Sequence, residues 1–388
     1  MGTLPQWKGL FDWSIKYQDG TKPSNWDPSE YDPEKMKWLE GVLKHYMQDF
    51  GARMKEIKAS LDTGVRAEQP PAAGAAASES APPPPPAQRL SLEDKELLLE
   101  ELLDIVSSID FARDLHKVGG LPTLLDLLDC DQPSLRWRAA EVVATCMANN
   151  PPVQQWFMQG GVLPRLLRLL DEEGAGEPGA SLRTKGLLAV SALVRHNRPG
   201  LEAVRLAGGL PRLVRLAADP DRRVSRKALS LTQYVVTQHW PDAKAVVDMG
   251  LLPPVLVLLG DASEEAGDAR TAALELLREL ARSPDVWGVL KESNELRSAL
   301  HVLEAAHSRL AGDDAEAAQE EVEARAALSQ ALSSAQPPAM PASESDHLDV
   351  GYDQGHAEPV TLPVHQQGPA AQQGAAPQQA PVGLLGPP

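Results

Sequence analysis

Residues 119–129 read GGLPTLLDLLD, and three later stretches say nearly the same thing: GGVLPRLLRLLD (160–171), GGLPRLVRLAAD (208–219) and GLLPPVLVLLGD (250–261). Their prolines, Pro122, Pro164, Pro211 and Pro253, stand 42, 47 and 42 residues apart. Gly-Gly permits the left-handed backbone that ends a helix, and a proline two or three residues later suits the first turn of the next. Each stretch precedes a longer helix pattern, at 134–150, 181–197, 223–239 and 268–283. Each follows a shorter one, such as NPPVQQWFMQGG (150–161) or RPGLEAVRLAGG (198–209).

Three helices recurring about every 42 residues make the armadillo pattern. The expected fold is therefore all-α, a right-handed armadillo-repeat α-solenoid. Its four repeats fall at about 110–150, 151–197, 198–239 and 240–283. The extra length in the second falls in EEGAGEPGA (172–180), a loop that tolerates insertion. A solenoid needs polar caps. SLEDKELLLEELLDIVSSI (91–109) opens with Ser91 and Asp94 at capping-box spacing and reads as one cap. Helices at 286–310 and 316–332 read as the other, closing a folded region of 89–333.

Composition separates what lies outside. Residues 69–88 are Pro- and Ala-rich, and 334–388 are built from Pro, Gln, Ala, Gly and His. Neither offers enough apolar surface to offset the entropy of ordering, so a disordered linker and tail are expected. Residues 1–68 form a separate N-terminal region, with an amphipathic helical pattern over 33–62 and four of the chain's eight tryptophans ahead of residue 40. A helical hairpin packed on Leu90–Ile109 and a mobile segment both fit that region. The formal net charge of −17 argues against nucleic acid, whose phosphates need an excess of Lys and Arg. Two cysteines make no disulfide framework, and no run approaches the roughly 20 apolar residues of a membrane span. We expect a soluble, monomeric cytoplasmic protein of the cytosol or nucleus, with no membrane partner.

Catalytic signatures are missing. There is no Walker-type phosphate loop, no G-x-S-x-G elbow and no H-E-x-x-H helix. Cys146 sits beside Val142 and Val143 and reads as a small core residue. No enzyme activity, cofactor or metal is expected. What remains is the concave face of the third helices. Aligning them on Ala139, Gly186, Ala228 and Ala273 places Trp137, Glu141 and Thr145 on that face. The matching positions are Thr184, Leu188 and Ala192, then Arg226, Ser230 and Tyr234, then Thr271, Glu275 and Glu279. The repeated Trp and Asn columns of peptide-binding import receptors are missing, so an extended basic peptide is not the expected ligand. Instead the charge is graded: residues 198–230, with Lys227 among them, hold eight bases against three acids, and 264–325 hold fifteen acids against seven bases. Such asymmetry orients a folded, charged partner. Trp137 reads either as packing against the next repeat or as an exposed anchor.

Several motifs together resemble the Fes-type nucleotide exchange factors. They are Leu10-Phe11-Asp12-Trp13-Ser14-Ile15 with Asp19-Gly20-Thr21, Trp38-Leu39, Met54-Lys55-Glu56, Leu135-Arg136-Trp137-Arg138-Ala139-Ala140 and Leu182-Arg183-Thr184-Lys185-Gly186-Leu187. The resemblance implies a co-chaperone that grips the ATPase domain of the 70-kDa heat-shock chaperone with its concave face and promotes ADP release. It adds Arg136, Arg138, Arg183 and Lys185 to the partner-binding candidates. It also implies that the N-terminus, through Leu10, Phe11, Trp13 and Ile15, reaches the chaperone's polypeptide-binding domain. A generic armadillo scaffold without exchange activity is the alternative.

Overall fold

The structure, a computed structural model, describes residues 49–66, 90–174 and 176–339. The chain divides into Met1–Leu348 and Asp349–Pro388, and every described residue lies in the first part. The expected linker at 69–88, the N-terminal stretch 1–48 and the tail from 340 onward lie outside the described residues.

All regular structure among the described residues is helical. Two helices, α1 (Phe50–Arg66) and α2 (Leu92–Val106), precede a first triplet of α3 (Ile109–Lys117), α4 (Gly120–Leu128) and α5 (Pro133–Met147). The second triplet is α6 (Pro151–Gln159), α7 (Val162–Leu170) and α8 (Gly179–Val194); the third is α9 (Arg198–Leu206), α10 (Gly209–Leu216) and α11 (Arg222–Gln238). In the fourth, α12 (Pro241–Asp248) and α13 (Leu252–Leu259) lead through a 3-10 turn at Glu264–Ala266 into α14 (Gly267–Leu280). Beyond it come α15 (Pro284–Glu292), α16 (Asn294–His307), the short α17 (Asp313–Ala317) and α18 (Gln319–Ser333).

The corner between first and second helix is one backbone event repeated four times. Gly119, Gly161, Gly208 and Gly250 take φ of 74°, 75°, 76° and 91°, where an L side chain is strained. In each case a proline follows three residues later. The shared feature is thus one left-handed glycine rather than the doublet, since Val162 and Leu251 stand where Gly120 and Gly209 do. Those two stay glycine for a different reason: a Cβ would lie 2.3 Å from Leu115 Cδ1 or 2.4 Å from Val204 Cγ1.

Packing follows from this geometry. The third helices form an unbroken layer, α2 on α5, α8, α11, α14 and finally α18. Behind them the core is almost wholly aliphatic, with Leu166, Leu169, Leu187, Val190, Leu229 and Leu277 all buried. On the outer seam, arginines one turn apart grip the acid that ends the previous second helix. Arg165 and Arg168 hold Asp129, while Arg212 and Arg215 hold Asp171 at 2.7 and 2.8 Å.

Both ends depart from the expected caps. Residues 286–310, expected as one helix, are broken at Ser293, whose extended backbone and Oγ accepting the Leu296 N–H start a new helix. The closing region therefore repeats the triplet order as α15, α16 and α18, with a serine cap in place of the Gly-Pro corner. The 91–109 cap likewise ends at Val106, and Ile109 already begins α3. Ser91 and Asp94 do form the capping box. At the front, α1 packs on α2, α3 and α4, burying Met54, Ile57 and Leu61. Arg53 donates to both Glu101 oxygens at 2.7 Å, and Thr123 Oγ1 donates to Asp62 at 2.6 Å. Thr123 occupies the register of Arg165 and Arg212, so α1 stands in the place of a preceding second helix. With α2 it supplies two of the three helices of a repeat.

Candidate functional site

Because the third helices lie side by side, residues of equal register form rows across them. Arg138 of α5 pairs with Glu96 and Glu100 of α2, both at 3.2 Å. Lys185 of α8 pairs with Glu141 of α5 at 2.5 Å, and Arg226 of α11 pairs with Asp268 of α14. Trp137 is half-buried, with the Arg138 guanidinium 4.1 Å and the Lys185 ammonium 5.8 Å from its ring centroid. Its packing on the core agrees with the first of the two readings left open for it, and the two cations lie over the ring. Each ion pair contributes about 1 kcal/mol or less, but the set fixes where these long side chains point.

Two candidates belong elsewhere. Arg183, expected among the partner-binding residues, is 3 % exposed and pairs with Asp219, itself 6 % exposed, at 2.7 Å. Its Nη1 also donates to the carbonyls of Glu172 and Gly174. Arg136 pairs with the Glu172 carboxylate and donates to the Leu128 carbonyl. Both arginines staple the loop after α7 to the body of the repeats, and Arg223 holds its far end through Glu177 at 2.9 Å. The inserted loop is anchored at three points. The Arg183 guanidinium is thus buried against oxygens of this chain rather than presented on the surface.

The middle of the face is less occupied. Leu188, in register with Glu141, is half-buried and lines a hollow of about 230 Å³ with Ala144, Thr145, Ala148, Asn149, Ser191, Ala192 and Arg195. Lys227 lies near the Lys185–Glu141 rung, and burial holds its ammonium below the usual lysine range, with Arg226 and Lys185 adding to the effect and Glu141, already paired with Lys185, opposing it. Tyr234 donates to the Val194 carbonyl at 3.5 Å and accepts the His196 N–H at 3.2 Å. Ser230 and Glu275 are half-exposed. Arg195, which sequence reading passed over, lays its guanidinium 4.7 Å from the Tyr234 ring centroid. Its signal was its place one turn beyond Ala192. The N-terminal candidates Leu10, Phe11, Trp13 and Ile15 lie outside the described residues.

Burial pushes the Cys146 thiol far above the ordinary cysteine range, which keeps it protonated. Among the described residues, no His, Cys, Asp or Glu cluster could hold a metal ion, and no helix is long and apolar enough to cross a membrane.

Residues 111–248 match the model of the SIL1/FES1/HPBP1 C-terminal domain. Hsp70-binding protein 1 of Homo sapiens is 26 % identical over 241 residues, which cover 62 % of this chain and 63 % of that protein. Nucleotide exchange factor SIL1 of Rattus norvegicus is 31 % identical over 149 residues, 38 % of this chain and 31 % of its own. Hsp70 nucleotide exchange factor FES1 of Coccidioides immitis is 25 % identical over 115 residues, 30 % of this chain and 52 % of its own. The chain thus spans less than two thirds of each of these relatives. Among solved structures, the designed armadillo repeat protein YIII(Dq)4CqI superposes with a TM-score of 0.50 at 20 % identity, covering 71 % of this chain and 99 % of that one. That likeness establishes the armadillo fold.

Proposed function

We propose that this chain, whose residues 111–248 belong to the SIL1/FES1/HPBP1 C-terminal domain family, is a co-chaperone that binds the ATPase domain of the 70-kDa heat-shock chaperone and promotes ADP release. The observation that carries the reading is one of position. Trp137, Arg138, Glu141, Lys185, Leu188, Arg226 and Lys227 all fall inside the matched segment and lie on the third-helix layer. The names of the relatives, two of them nucleotide exchange factors, support the same activity.

The role needs no bond to be made or broken by this chain. It must bind the ADP-free conformation of the chaperone more tightly than the ADP-bound one. By linkage, ADP then weakens the complex by the same factor. A thousandfold coupling corresponds to about 4 kcal/mol, within reach of a face with a few desolvated anchors. The layer acts here as a rigid template, its side chains already placed by the rungs that join one repeat to the next. A monomer working in the cytosol completes the reading.

The test is release of fluorescent ADP from purified 70-kDa chaperone, followed after mixing with the full chain and excess ATP. Acceleration at substoichiometric concentration supports exchange. An unchanged rate with retained binding would leave an armadillo scaffold, and the exchange reading would be abandoned.

A further inference from the structure

Two rungs of the third-helix layer share one geometry. A cation just before the alignment position reaches an acid on the preceding helix: Arg138 to Glu96 and Glu100, then Lys185 to Glu141. Lys227 stands in register with Arg138 and Lys185, and the acid it should meet on α8 is replaced by Leu188. Lys227 consequently has no ion pair among the described residues, although it is half-buried. Arg195 has none either; it reaches only the Ser191 hydroxyl at 3.0 Å and the Tyr234 ring. The other cations of α5, α8 and α11 are all paired, to Glu172, Glu96, Glu100, Asp219, Glu141, Asp261, Glu177, Asp221 and Asp268.

Leu188 also lines the hollow of about 230 Å³, together with Ala144, Ala148, Ala192 and the unpaired Arg195. Small apolar side chains leave room there for one aliphatic group of a partner. From this juxtaposition we propose that the hollow and the two cations form the specificity site of the face, taking an aliphatic side chain flanked by carboxylates on the surface of the folded partner. The inference rests on the exchange-factor reading and narrows it to a site. Its logic is charge complementarity. An internally paired cation must lose its partner before it can serve another, whereas Lys227 and Arg195 meet an incoming carboxylate without that loss. Leu188 is therefore the residue that keeps Lys227 available.

Leu188→Glu supplies the missing acid and tests this directly. It is expected to keep the fold, followed by circular dichroism and melting, yet weaken chaperone binding by roughly tenfold or more. Lys227→Glu and Arg195→Glu should weaken it by a similar factor, and Lys227→Arg should retain it. If Leu188→Glu fails to fold, the Lys227 and Arg195 variants still decide. All are read in the full chain, by titration against purified chaperone and by ADP release. A wild-type chain that binds and exchanges while Leu188→Glu and Lys227→Glu match it would overturn this site and leave the exchange reading standing. A wild-type chain that neither binds nor exchanges would overturn both.

Discussion

Arg183 shows how one side chain can mislead in sequence and instruct in structure. Its place beside Lys185 in a family-like motif suggested a surface role, yet the guanidinium is buried against Asp219. Nothing in the local sequence announces this, because the partner arrives from the next repeat, 36 residues away. Lys185, two residues on, faces the layer and pairs with Glu141. Period 3.6 separates such neighbours onto different faces, but only the positions of the flanking repeats say which face is covered. The distinction has a measurable consequence. Arg183→Ala should lower stability by about 3–5 kcal/mol, because Asp219 is left charged and buried. Asp171→Asn, which loosens the exposed grip of Arg212 and Arg215, should cost about 1 kcal/mol or less. Urea unfolding of both variants checks the contrast, and equal losses would mean that burial does not govern these pairs.

At the level of elements, the four triplets were legible because each carries a left-handed glycine and a proline three residues on. The fifth triplet was not, because Ser293 turns the chain there with a hydroxyl cap instead. Nor was the role of α1 legible. Its amphipathic pattern marks a helix, but only Asp62 meeting Thr123 reveals that it takes the place of a second helix. Of the binding face, the rows were readable from alignment, while the hollow and Arg195 needed the spacing between α5 and α8. This partial repeat also carries a prediction. Ile57→Ala removes buried aliphatic volume from α1 and should cost about 2–5 kcal/mol. Since among the described residues α1 packs chiefly on α2, α3 and α4, hydrogen exchange should speed up in these helices first. Uniform acceleration through α14 would instead show the solenoid to unfold as one unit.

For the whole molecule, the polar closing helix α18 covers α14 through the Arg270–Glu321 pair at 2.7 Å, nearly buried on both sides. The array is thus sealed before residue 340. Arg282 donates to the Ala339 carbonyl and Lys291 to the Ser334 carbonyl, so these last described residues belong to the seal. A chain ending at Ala339 should keep the melting temperature and the ADP-release activity of the full chain. Loss of both together would make the tail part of the fold, and loss of activity alone would give it a separate role.

The arginine clamps on Asp129 and Asp171 have a mechanical side. They stitch the outer seam where the first repeat meets the second and the second meets the third. At the next junction the corresponding positions are Pro254 and Val257, neither of which can grip a carboxylate. The clamps are therefore unevenly distributed along the seam, while the third joint is tied from the long helix α11 instead, by Arg222 to Asp261 at 2.6 Å and Arg226 to Asp268. The chain thus changes the means of joining partway along the array, from the second helices to the third.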